Sequence, residues 1–248
     1  MLELNGNLFS LGQEEQERIL ELLALWRWSG GRCLSLHVGG FLPNMREEAT
    51  WEQVRILGAD RITKHVPAVS VAEFRERRNE VVASYIRQIR LLLENHVAIG
   101  IENMHMKQGD PHDERRGYGF RIPEWLAFVN ELREKCQSDY IGCHLDLGHA
   151  YGNYPFHPQN TLDEWLAVGN KMINGLHIHQ MNQERTADVP YPQGHAHVSG
   201  RTAGFPSLEP VFRFWQTSGL RIPLILEVRR GETDPLPSIR RMTAQLPF

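Results

Sequence analysis

Long apolar runs are missing from this chain: no stretch of about 18 consecutive apolar residues occurs, which excludes a transmembrane helix. Excess positive charge is missing as well. Lys and Arg total 27 against 30 Asp and Glu, a formal net charge of −3, and no long run of Lys and Arg appears. That balance gives no support for a broad electrostatic grip on nucleic acid and leaves open only a local basic patch. Cysteine is scarce: Cys33, Cys136 and Cys143 are odd in number and lack a C-x-x-C spacing. They fit a reducing compartment and small packing residues better than a disulfide framework. The start of the chain has no basic segment followed by an apolar run and a small-residue cleavage site, so a soluble, cytoplasmic protein is expected. Neither G-x-G-x-x-G nor G-x-x-x-x-G-K-S/T is present, which removes any nucleotide-binding reason to favour an open, doubly wound sheet.

What is present is the composition of an ordinary globular protein, 41% hydrophobic and 23% charged. A chain of 248 residues buries roughly three quarters of its unfolded surface and needs no staple to fold. Short apolar runs alternate with amphipathic stretches. Arg32 to His37, Asp60 to His65, His96 to Glu102, Tyr140 to Asp146, Asn174 to His179 and Arg221 to Val228 read as strands. A first strand is expected within Leu2 to Phe9, where the pattern is weak and an irregular strand would fit, and a seventh near His195 to Ser199. Helices carry clear punctuation. One occupies Gln13 to Trp28. Ser70-x-x-Glu73 reads as a capping box opening a helix to about Glu94, with Phe74, Val81, Tyr85, Ile89 and Leu92 on one face. Thr161-x-x-Glu164 is a second box, Pro123 suits a first helical turn, and Ser207 can cap a helix bearing Val211, Phe212 and Trp215 that stops at Gly219. Repeated strand–helix alternation means a parallel sheet. The length suits one complete (β/α)8 TIM barrel, so the expected fold class is α/β with residues 1–248 as a single domain.

Two segments are too long and polar for plain connections: Met104 to Arg121 and Gln180 to Pro206. After barrel strands, such loops lie at the C-terminal mouth, where active sites form. Strand after strand also ends in a ligand-type side chain: His37, His65, Glu102, Asp146, His177 and Glu227. Parallel strands all point the same way, so these side chains can converge on one rim. Alternation then sends Gly100 inward with Glu102, His144 and Gly142 with Asp146, and Gly175 and His179 with His177. A carboxylate buried at the mouth is costly unless paired or bound to a cation, and several together predict a cation. Taken singly, each residue has a plainer explanation: a hydrogen-bonded structural histidine, an ion-paired Glu102, or Asp146 capping the next helix.

Ile99-Gly100-Ile101-Glu102-Asn103, His144-Leu145-Asp146-Leu147-Gly148-His149-Ala150, Gly175-Leu176-His177-Ile178-His179 and Pro223-Leu224-Ile225-Leu226-Glu227 resemble motifs of the xylose isomerase-like TIM barrel superfamily. That superfamily holds sugar and sugar phosphate isomerases and epimerases together with endonuclease IV-type (AP endonuclease family 2) enzymes. The resemblance implies that Glu102, Asp146, His177 and Glu227 form a divalent-metal site for Mn, Mg, Co or Zn. It places His37 and His65 at the mouth, as substrate contacts in the isomerases or as further metal ligands in the endonucleases. His149 follows Asp146 as in both branches. Where the endonuclease branch has an Asp-x-His pair for a third zinc, this chain has His195-Ala196-His197. His197 matches and His195 does not.

Two reactions are implied for one site. In the first, one ion activates an open-chain sugar or sugar phosphate and stabilises an enediolate. The catalytic groups are Glu102 and Glu227, which exchange the proton alpha to a carbonyl, with His149 bonded to a substrate oxygen. Arg185 is the candidate anchor for a carboxylate or phosphate, with Arg116 and Arg201 as competitors, and His197 is a further substrate contact. The alternative is a zinc phosphodiesterase acting on abasic DNA, with up to three zinc ions held by His37, His65, Glu102, Asp146, His149, His177, His197 and Glu227. The small-molecule reading is preferred, because little chain precedes His37 to supply DNA-penetrating loops and the net charge offers no help. A barrel that binds without turnover is a third reading, opposed by the complete ligand set. The partner is expected to be a small molecule and not a membrane, and pairing of barrel faces into a homo-oligomer stays open.

Overall fold

In the computed structural model the described residues are 2–5, 10–31, 34–38, 47–107, 109–153, 161–169, 171–186, 188–189, 192, 194–217, 222–227 and 236–245. Seven strands lie in one parallel sheet in the order of the sequence. They are β1 (Leu2–Asn5), β2 (Leu34–Val38), β3 (Arg61–His65), β4 (Ala98–Glu102), β5 (Ile141–Asp146), β6 (Ile173–Ile178) and β7 (Leu224–Leu226). Around them lie α1 (Gln13–Trp28), α2 (Glu47–Leu57), α3 (Val71–Glu94), α4 (Ile122–Cys136), α5 (Leu147–Gly152), α6 (Leu162–Leu166), α7 (Glu209–Thr217) and α8 (Leu236–Gln245). The sheet curls into a nearly closed TIM barrel, and Glu3 on β1 reaches His177 on β6 across its interior.

Local sequence explains the element ends. Ser70 Oγ accepts the Glu73 N–H at 3.0 Å, while the Glu73 carboxylate is taken by Arg77. At Thr161 both halves of the capping box form. Glu209 N–H lies 3.3 Å from Ser207 Oγ at the start of α7. The expected helix stop at Gly219 falls outside the described residues, as do Arg32, Cys33, Arg221 and Val228.

Two expectations need correction. The first strand is not irregular over Leu2–Asn5: those four residues pair with Leu34–His37 in unbroken parallel register. Nor is there a strand at His195 to Ser199. There Ala196 forms one antiparallel bridge with Gln180, so the segment folds back over the end of β6 as part of the mouth loop. The last described strand is Leu224–Leu226, whose side chains alternate against the Leu176–Ile178 part of β6.

Alternation divides the barrel chemically. Outward-facing Leu36, Ile62, Ile99, Ile101, Leu145 and Leu176 are buried against Val81, Tyr85, Ile89 and Leu92 of α3 and Trp125, Phe128 and Leu132 of α4. The α3 set recurs at helical spacing, which is why that helix lays one apolar stripe on the sheet. Trp125 is fully buried, and its indole N–H donates to the Ile101 carbonyl at 2.7 Å. The inward face is polar, unlike the branched apolar filling usual in such barrels. Arg61, Thr63 and His144 are buried there, beside Glu3. Gly100 and Gly175 make room for them: a Cβ at Gly100 would lie 2.9 Å from His144 Cβ, and one at Gly175 would lie 2.6 Å from both Arg61 and His144.

Trp125→Ala removes the largest fully buried side chain at the β4–α4 seam and leaves the Ile101 carbonyl without its donor. We expect a loss of about 3–5 kcal/mol in unfolding free energy, measured by urea denaturation. A loss below about 1 kcal/mol would contradict this account of the seam.

Candidate metal centre

The C-terminal ends of β2 to β6, with the residue after β7, deliver their polar side chains to one point. Glu102, the last residue of β4, is fully buried and acts as the hub. Its Oε2 lies 2.9 Å from His37 Nε2 and 3.2 Å from His65 Nε2. Its Oε1 faces His177 Nδ1 at 3.3 Å and His149 Nδ1 at 3.4 Å. Register makes this convergence possible, since His65 pairs with Glu102 and Asp146 pairs with His177 across neighbouring strands.

Asp146 ends β5 and also caps α5, accepting the His149 N–H on Oδ1 at 2.6 Å. Both of its oxygens lie 3.1 Å from His179 Nε2. Asn103 ties the two strand ends together: its Oδ1 accepts the Asp146 N–H at 2.7 Å and its Nδ2 donates to the Asp146 carbonyl at 3.1 Å. His149 Nδ1 lies 2.8 Å from the Asn103 carbonyl, which makes that nitrogen the protonated one and leaves Nε2 as an acceptor. Glu227 donates its N–H to Ile178 O at 3.2 Å, and its Oε2 lies 3.4 Å from His177 Nδ1. One ligand atom each from Glu102, Asp146, His177 and Glu227 fall within 4.8 Å of one another.

Charges are arranged unevenly. Burial opposes ionisation of Glu102, but His177, His37 and His65 outweigh it and hold the carboxyl well below its ordinary range. Burial likewise opposes the Asp146 carboxylate, and His149 and His179 overcome it. Burial pulls the His177 imidazolium down, yet Glu102 and Glu3 lift it well above the ordinary value. Glu227 goes the other way: burial and the neighbouring Asp146 and Glu102 carboxylates push it up to about 9. A carboxyl pushed up this far beside two other carboxylates marks a pocket short of positive charge. Three carboxylates and one imidazole that converge in this way fit a hard or borderline divalent ion.

The other expected residues separate into two sets. His37, His65 and His149 join the cluster. His197 does not: its Nδ1 lies 2.8 Å from Ser238 Oγ on α8. Arg185 is held against Tyr151, donating to its carbonyl at 2.9 Å with the guanidinium 4.7 Å from the ring centroid. Arg116 and Arg201 are in ion pairs with Glu124 and Glu209. His195 stacks on His179 with ring centroids 4.0 Å apart, and its Nδ1 lies 3.5 Å from Glu227 Oε2. Sequence reasoning missed Glu3 altogether and gave Asn103 and His179 no role. The signal for Glu3 was present: a carboxylate between Leu2 and Leu4 in a strand must face away from the apolar layer.

The profile described as Xylose isomerase-like TIM barrel matches residues 48–245. The chain belongs to that family. No curated protein matches it. Among solved structures, this xylose isomerase-like barrel is similar to a D-tagatose 3-epimerase-like protein at 16% identity and a TM-score of 0.63, covering 98% of this chain and 86% of that one. It is similar to endonuclease IV from Thermus thermophilus at 19% identity and a TM-score of 0.58, covering 94% of this chain and 82% of that one. A third likeness is to IolI protein with a bound zinc atom, at 15% identity and a TM-score of 0.60, covering 92% of this chain and 82% of that one. At such identities these likenesses establish the barrel fold of the family and no more.

The electrostatics of this xylose isomerase-like centre yield a pH dependence. An ion held here would replace the proton on Glu227 and would require a deprotonated His177 Nδ1, so its binding would release protons. Apparent affinity for Mn2+ therefore rises as pH is raised toward about 9. Calorimetric titrations in two buffers of different ionisation enthalpy should differ by the heat of the released protons; identical heats would contradict the assignment.

Proposed function

We propose that this chain is a divalent-metal-dependent isomerase or epimerase of a sugar or sugar phosphate. The observation that carries the reading is the gathering of Glu102, Asp146, His177 and Glu227 at the mouth, with one ligand atom each inside 4.8 Å. These four residues would hold one ion, Mn, Mg, Co or Zn. When bound, it would supply Lewis acidity that makes the proton alpha to a substrate carbonyl more acidic.

The remaining work falls to the chain itself. Glu227 is the carboxylate open to the mouth, with 25% of its side chain exposed against none of Glu102. In this reading Glu227 takes the alpha proton on one side of the substrate carbon, and Glu102 serves the other side. His149, with Nδ1 committed to the Asn103 carbonyl, offers Nε2 to a substrate hydroxyl. His37 and His65 lie against Glu102 as further substrate contacts, and His65 is partly open to solvent. Arg185 and His197 are assigned to a carboxylate or phosphate on the far end of the substrate. Residues 1–248 act as one domain in the cytoplasm, and assembly through exposed barrel faces is compatible with the same site.

A second reading has one specific observation in its favour. His37, His65 and Glu102 form a further trio with ligand atoms inside 4.8 Å, as an endonuclease IV-like zinc phosphodiesterase would require. His197 weighs against it, because among the described residues it joins none of the groups that could hold an ion.

Elemental analysis of protein purified without added metal or chelator separates the readings. About one manganese, cobalt, magnesium or zinc ion per chain, with deuterium from D2O entering a ketose or aldose alpha to the carbonyl, supports the isomerase. Two or three zinc ions with cleavage of abasic DNA supports the phosphodiesterase. Within the isomerase reading, Glu227→Gln should lower kcat by about 10²–10⁴-fold while sugar binding changes by a few-fold at most. Full activity in that variant would end the acid–base assignment.

A further inference from the structure

Beneath the centre lies a buried carboxylate that no part of the proposed reaction uses. Glu3 projects from β1 into the barrel, and its two oxygens have separate duties. Oε1 accepts hydroxyl hydrogen bonds from Ser35 on β2 and from Thr63 on β3, the latter at 2.9 Å. Oε2 lies 2.5 Å from His177 Nε2. The other ring nitrogen of His177, Nδ1, faces Glu102 at 3.3 Å, Glu227 at 3.4 Å and Asp146 at 3.7 Å. The ring is thus held by its far nitrogen while its near nitrogen points at the other three acidic ligands.

We infer that Glu3 is a positioning residue for the metal centre, fixing the His177 ring and its tautomer so that Nδ1 is the nitrogen presented to the ion. The inference rests on the metal-site reading above. A neutral imidazole carries its proton on one nitrogen, and a ligand atom must be the bare one. A carboxylate against Nε2 keeps the proton there, makes Nδ1 more basic and stops the ring from turning. The two hydroxyls serve the same end one step further out. By saturating Oε1 they leave Oε2 as the oxygen for His177, and they keep the carboxylate from swinging away within the barrel. Three strands therefore specify the orientation of one ligand on a fourth. A carboxylate placed there for packing alone would be costly, since an apolar residue of similar volume would fill the space without desolvating a charge.

The test is the Mn2+ dissociation constant, by calorimetry, of the wild-type chain, Glu3→Gln and Glu3→Ala, with thermal melts of each metal-free protein. Glutamine keeps an acceptor oxygen and loses the charge, so binding should weaken by about tenfold; alanine should weaken it by about 100-fold. Wild-type affinity in both folded variants would overturn the inference and leave the metal site standing. Failure of the wild-type chain to bind any of Mn2+, Mg2+, Co2+ and Zn2+ would overturn both. Should neither variant fold, the wild type still decides: 15N-histidine spectra of the zinc-loaded protein should show His177 protonated at Nε2 and zinc-bound at Nδ1. The reverse tautomer would overturn the inference.

Discussion

Glu102 is the constraint around which the rest of the mouth is organised. A carboxylate with no solvent exposure must be compensated from within, and His37, His65, His149 and His177 supply that compensation from four different elements. Each imidazole reaches it only because its own strand or helix ends at the right height. Parallel register brings His65 beside Glu102, and the Asn103 clamp holds the neighbouring strand end so that Asp146 and His149 follow. The apolar shell outside the barrel gives the fold its stability, and the charged hub inside gives the strand ends a common target.

The two halves of that arrangement differ in how well the sequence revealed them. Alternation is a local property, so the strands, the capped helices and the inward set of Gly100, Glu102, His144, Asp146, Gly175 and His177 were legible from spacing alone. The four candidate ligands, Glu102, Asp146, His177 and Glu227, came from strand-end position and from resemblance to family motifs, and the structure brings them within reach of one another. Glu3 was hidden for a physical reason. Its partner is 174 positions away along the chain, and the first strand is only four residues long, too short to show a period of two convincingly. The seventh strand was misplaced because only the expected strand order pointed to His195 to Ser199, where the chain folds back and forms a single bridge. Arg185 was put ahead of Arg116 and Arg201 from its place in the loop alone, since an arginine's partner depends on the course of long loops rather than on periodicity.

The inside of the barrel is as informative as its rim. Glu3, Ser35, Arg61, Thr63 and His144 replace the branched residues that usually fill such an interior, and two glycines give up their side chains to admit them. This polar column makes the floor of the site rigid by directional bonds rather than by close packing. Arg61 donates to the Asn174 carbonyl at 2.7 Å, which fastens the third strand to the base of the sixth.

Asp146 has a double attachment whose effect reaches beyond the ligands. The oxygen that lies 3.1 Å from His179 Nε2 also accepts the backbone N–H of His149 in the first turn of α5, so the short helix begins at a residue of the charged centre. That helix carries Tyr151, and Tyr151 in turn seats Arg185. A change of charge at Asp146 is therefore felt as a change in the anchorage of the helix, and through it in the placement of an arginine on a separate loop. The centre and the loop that borders it are joined through one aspartate and one short helix.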